Sequence, residues 1–124
     1  MKTPETLTIH LPLPMPELSP NARCHWATKA KITKAYSQWA WAKSLKAIGN
    51  AAPPRWKDAT VECHFYFADR RHRDRDNAMA SLKPAFDGLA DAGVVCNDSG
   101  LTQLPAIMDV DRVNPRVELL VVPT

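Results

Sequence analysis

Residues 59–68 read ATVECHFYFA, and this stretch decides the fold. Val61, Cys63, Phe65 and Phe67 fall on one side of an extended chain, and Thr60, Glu62, His64 and Tyr66 on the other. A period of two with one apolar side predicts a strand that buries one face. A charged run, DRRHRDRD over 69–76, follows it. Beyond that, Met79, Leu82, Phe86 and Leu89 recur at helical spacing, which predicts a helix over about 77–92 with Gly93 as its C-terminal cap. Pro84 lies inside this pattern. It removes an amide donor and crowds the carbonyl of Ala80, so a kink or a broken first turn is expected there.

Working outward, residues 6–13 alternate polar and apolar side chains and read as a strand ended by Pro14 and Pro16. A loop over 18–28 leads to a helix over 29–48, with Ile32, Tyr36, Trp39, Ala42 and Leu45 as its apolar stripe and Gly49-Asn50 as its stop. Residues 51–57, with Pro53-Pro54, form a linker. After Gly93 come an apolar run over 94–96, a polar turn over 97–100, and strands over about 101–110 and 116–122. Pro105 puts the first of these at a sheet edge or a bulge. The expectation is an α+β fold: a small mixed sheet of about four strands flanked by two helices, in one domain spanning 1–124.

Composition narrows the class. The chain has 124 residues, 45% hydrophobic and 23% charged, which suits one globular domain with a modest core. Cys24, Cys63 and Cys96 are an odd number without CxxC spacing, which argues against a zinc site or a disulfide framework. No leader-like start or membrane-length apolar run is evident, so no membrane association and a cytoplasmic location are expected. The charge is uneven: residues 1–57 carry nine Lys/Arg against two acids, and residues 58–124 carry seven against eleven. A basic half joined to an acidic half suits a protein that holds a polyanion beside divalent cations. A solvated, lysine-rich helix face gives the same imbalance.

Asp74-Arg75-Asp76 sets two carboxylates two residues apart after a strand, where extended geometry would aim both to one side. Mg²⁺ takes hard oxygen ligands and keeps several waters, so two or three carboxylates plus a phosphate suffice to hold it. Asp98 is the third candidate, since a strand–helix–return path can bring its turn back beside the strand end. A DxD pair in a charged loop is more often simply solvated. Arg70, Arg71, Arg73 and Arg75 surround the pair, and arginine forks massed there suit phosphates completing the metal shell. They also suit plain neutralisation of Asp69, Asp74 and Asp76.

The run Arg73-Asp74-Arg75-Asp76-Asn77, with Leu82-Lys83, Phe86-Asp87-Gly88-Leu89, Asp91-Ala92-Gly93-Val94 and Asn97-Asp98, resembles the RusA family of Holliday-junction resolvases. The resemblance is specific over about 69–100 and weaker at Ser19-Pro20-Asn21 and at Arg116-Val117-Glu118-Leu119. It implies a Mg²⁺-dependent homodimer, with Mn²⁺ as a substitute, that makes paired nicks in four-way DNA junctions. By position it implies that Asp74, Asp76 and Asp98 bind metal and that Lys83 serves cleavage. Asn97 stands where the family has an acid, and the stretch from Asp76 to Lys83 is about one helical turn longer than in familiar members.

On this reading Arg23, Lys29, Lys31, Lys34, Arg70, Arg71, Arg73 and Arg75 contact DNA. Asp87 and Asp91, four and eight residues past Lys83, orient the lysine rather than bind metal. Trp39 is expected in the core, and Trp41 in the core, an interface or a base-stacking surface. His25-Trp26 suits either a loop anchor or a DNA contact. His10 and His64 are expected half-buried, and His72 near phosphate. A broader branched-DNA nuclease and a catalytically weak DNA-binding module are the rival readings.

Overall fold

A computed structural model describes residues 2–124. Its elements are β1 (Leu7–Leu11), α1 (Trp26–Ile48), β2 (Ala59–Phe67), α2 (Arg75–Ala80), α3 (Lys83–Asp91), β3 (Leu101–Gln103), β4 (Ile107–Val110) and β5 (Arg116–Pro123). Single 3-10 turns at Pro16–Leu18 and Asp98–Gly100 complete it. The fold is α+β, with a five-stranded mixed sheet instead of about four strands. β1, β5 and β2 lie side by side and antiparallel, and β3 and β4 run in succession, parallel to β2, along its other edge.

Pro105 accounts for the extra strand. Gln103 lies opposite Val61 and Ile107 opposite His64, so three edge residues face two on β2. Proline cannot donate to the ladder, and the edge bulges by one residue around it. The helix expected over 77–92 is divided as well. α2 ends at Ala80, Ser81 donates its hydroxyl to the carbonyl of Asn77 at 2.8 Å, and α3 begins at Lys83 with Pro84 in its first turn. A first turn has no intrahelical acceptor for that residue's amide, so the proline costs nothing there.

The apolar sides of β1, β2 and β5 bury Ile9, Val61, Cys63, Phe65, Val117, Leu119 and Val121 beneath α1 and α3. Burial pushes the Cys63 thiol up to about 12, so it behaves as a small hydrophobe. Tyr36 donates its hydroxyl to the carbonyl of Pro12 at 2.7 Å and ties α1 to the end of β1.

α1 presents a different stripe from the one its large residues suggest. Tyr36, Ala40, Ser44 and Ile48 are buried, whereas Trp39 is 44% exposed and Leu45 39%. Ala42 is exposed too. The expectation that Trp39 belongs to the core is therefore corrected. α3 packs on α1 through Gly88, whose ideal β-carbon would lie 2.4 Å from the carbonyl oxygen of Ser37. Helices that approach this closely need small residues, so Ala40 takes the contact and the side chains of Trp39 and Trp41 are turned out to solvent.

Candidate functional site

The loop after β2 is closed by its own charges. Asp69 accepts from the amide of Arg71 at 3.0 Å, and Arg73 bonds the Asp69 carboxylate at 2.8 Å and the carbonyls of Asp69 and Arg71 at 3.0 and 2.8 Å. The Arg73 guanidinium also lies 4.1 Å from the centre of the Phe67 ring. The amide of Arg71 and the Arg73 fork hold the Asp69 carboxyl below its ordinary range. Arg73, read from sequence as a DNA contact, is thus a clasp. Arg70, Arg71 and Arg75 are exposed and make no ion pair among the described residues.

Asp74 and Asp76 sit at the start of a helix, not on an extended strand end. Asp74 is the N-cap of α2 and accepts from the amide of Asn77 at 3.1 Å, while Asp76 lies in the first turn, exposed. Aspartate satisfies an orphan helix amide well, and this local preference overrides the extended geometry that the DxD spacing suggests. The two carboxylates still share one cleft with His72, Arg73, Arg75 and Met108. Replacing Asp74 by Ala is expected to cost about 1 kcal/mol, and replacing it by Asn close to nothing, because Asn caps equally well. Urea unfolding measures both; an Ala variant as stable as the parent would remove the cap from this account.

Asp98 goes elsewhere. It opens the 3-10 turn before β3, a turn in which the Asn97 side chain accepts from the amide of Ser99 at 3.2 Å. The Lys83 ammonium bonds the Asp98 carboxylate directly and that of Asp87 at 2.9 Å. Asp98 and then Asp87 raise the lysine above its ordinary value, and the lysine in turn holds Asp98 below its own. The expected pairing of Lys83 with Asp87 is present; Asp91 makes no such contact among the described residues.

Topology explains the separation. Leu101 lies opposite Ala59, the first residue of β2, whereas Met108, beside the Asp74–Asp76 cleft, lies opposite Phe65. Six residues of strand, about 20 Å of rise, separate those levels. The return path brings Asp98 back toward the beginning of β2 rather than its end. Among the described residues no three His, Cys, Asp or Glu side chains gather as a metal-holding group. The donor chemistry of Asp74 and Asp76 suits a hard cation, but Asp98 does not complete their set in this arrangement.

Sequence reasoning missed two features. Gly100 lets the turn press on the chain before β2, for an ideal β-carbon there would lie 2.1 Å from the carbonyl oxygen of Lys57. α1 begins three residues early because His25 caps it, accepting from the amide of Ala27 at 3.2 Å. Of the expected DNA contacts on this side, Arg23, Lys31 and Lys34 are exposed and Lys29 is half-buried. His10 is exposed, 4.0 Å from Glu118, while half-buried His64 bonds Asp109 at 3.0 Å and Tyr66 at 3.2 Å.

A protein of Xylella fastidiosa, described only as uncharacterized, is 36% identical over 114 residues, covering 90% of this chain and 72% of the relative. The chain belongs to that protein's family. No family model matches it. Membership therefore carries no activity. Among the described residues no helix is long and apolar enough to cross a membrane.

Proposed function

We propose that this chain is a divalent-metal-dependent, structure-selective DNA endonuclease of the RusA type that acts as a homodimer on four-way junctions. One observation carries the reading: Asp74 and Asp76 open into a single cleft whose other walls include His72, Arg73 and Arg75. Carboxylates alone repel a phosphodiester, and arginines alone hold it without cutting. Together they suit a phosphate that meets cations on both sides. Mg²⁺, or Mn²⁺ in its place, would supply a Lewis acid and a bound water of lowered pKa.

The chain's own groups do the rest. Exposed Arg70, Arg71 and Arg75 anchor flanking phosphates, and clasped Arg73 fixes the loop that carries them. Asp74 keeps one oxygen on the helix cap and has the other free for a cation. Lys83 is 62% exposed but bonds Asp98 toward the beginning of β2, away from this cleft, so it takes no part in the chemistry there. Two symmetric strands must be nicked, and a twofold dimer offers one site to each. The expected result is paired nicks in a synthetic four-way junction with Mg²⁺, none with chelator, and little cutting of linear duplex. Binding should weaken with salt by about −0.9 in log–log slope per phosphate contact. Sedimentation should give a dimer, with and without DNA.

The pairing of Asp98 with Lys83 favours a second reading, a branched-DNA-binding protein of little catalytic power. Tight, salt-sensitive junction binding with no cleavage in Mg²⁺ or Mn²⁺ would select it over the first.

A further inference from the structure

Trp26 is 77% exposed, the most solvent-open of the four tryptophans. It opens α1, where an indole neither caps the helix nor gains from burial. The His25 ring packs against it at 5.6 Å with a 30° tilt, and His25 is itself fixed by its bond to the amide of Ala27. Trp26 forms one wall of a shallow depression floored by Ala27 and Ala30 and rimmed by Lys31 and Lys34. The two lysines are three residues apart, on one face of the helix, and both are exposed. No acidic residue occurs between Glu17 and Asp58, while that interval holds eight Lys and Arg.

We infer that this depression is a stacking site for an unpaired nucleobase, with Trp26 as the platform and Lys31 and Lys34 holding the adjoining phosphates. A partner that answers both the indole and the cationic rim presents a flat aromatic face beside negative charge. A single-stranded nucleic acid segment does this, and each of its bases has an exposed face. A continuous duplex hides those faces in its stack, so the site discriminates strand state, not sequence. An apolar protein surface would gain from the indole but would have to desolvate the lysines. The inference rests on the nucleic-acid part of the proposed function and is independent of metal and cleavage. The two therefore fail separately.

The test measures binding of the full chain, in chelator, to oligothymidylate and to a blunt duplex of equal length. Trp26→Ala should weaken the single strand about tenfold, within the range for loss of one base–aromatic stack, and leave the duplex unchanged. Trp26→Phe should retain most of the affinity, and Trp41→Ala, farther along the helix, should match the parent. Tryptophan emission should be quenched by oligothymidylate in the parent and in Trp41→Ala, but much less in Trp26→Ala. Unchanged single-strand affinity in Trp26→Ala, or equal loss on both ligands, overturns the inference. So does an unchanged affinity with a smaller sedimenting species, which would make Trp26 a contact between copies.

Discussion

Asp76→Asn is expected to abolish cleavage of a four-way junction while the junction is bound as tightly as by the parent, or more tightly. Asp76 is exposed in the first turn of α2 and makes no hydrogen bond or ion pair among the described residues. Asparagine has nearly the same shape, so the fold has little reason to respond beyond the few tenths of a kcal/mol that a first-turn carboxylate contributes. Losing the charge removes half of the Asp74–Asp76 pair. Changes merely around metal ligands already cost ten- to a hundredfold, so a lost ligand should cost more than about a hundredfold. Binding moves the other way, since one fewer negative charge faces the phosphates. Single-turnover cleavage in Mg²⁺ reads the first effect and gel shift in chelator the second. A variant that cuts within a few-fold of the parent takes Asp76 out of the site.

The architecture was legible where the signal is local. The alternation over 59–68 corresponds to β2 at Ala59–Phe67, and Pro105 marked the bulge that divides the edge into β3 and β4. Leu82, Phe86 and Leu89 are buried as their spacing predicts, Met79 on α2 only in part, and Gly93 takes φ +85° after α3. Most of what failed depends on neighbours distant in sequence, and the Asp74 cap is the local exception. α1 has two plausible stripes, and the choice between them lies in Gly88, a residue of another helix that selects small partners over large ones. The Asp74–Asp76 spacing suggests a shared extended face, but an aspartate three residues before a helical amide answers first to that amide. Asp98 was drawn toward the DxD pair because spacing carries no information about which end of a strand a crossover returns to. The register of Leu101 against Ala59 decides that, and only the assembled sheet contains it.

Gly88→Ala should therefore be among the most destabilising single-carbon additions in this chain. Helix propensity alone argues the opposite, since Ala is favoured over Gly inside a helix by roughly 0.5–1 kcal/mol. The added carbon would lie 2.4 Å from the carbonyl oxygen of Ser37, 2.8 Å from the β-carbon of Ala40 and 2.9 Å from the amide nitrogen of Trp41. Two of those atoms are backbone of α1 and cannot rotate away, so α1 has to retreat as a body. Retreat loosens Tyr36 and Ala40, both fully buried, and stretches the bond from Tyr36 to Pro12. Overpacking of this kind costs about 3 kcal/mol, at the upper end of the usual range because backbone is involved. After the propensity gain, about 2 kcal/mol of net destabilisation remains, equivalent to a fall in Tm of about 8 °C for a domain of this size. Thermal and urea melts read it, and a larger side chain such as Leu at the same position should leave no cooperative transition. A Gly88→Ala variant melting at or above the parent would mean that propensity alone governs this position and that α1 and α3 do not meet as closely as described.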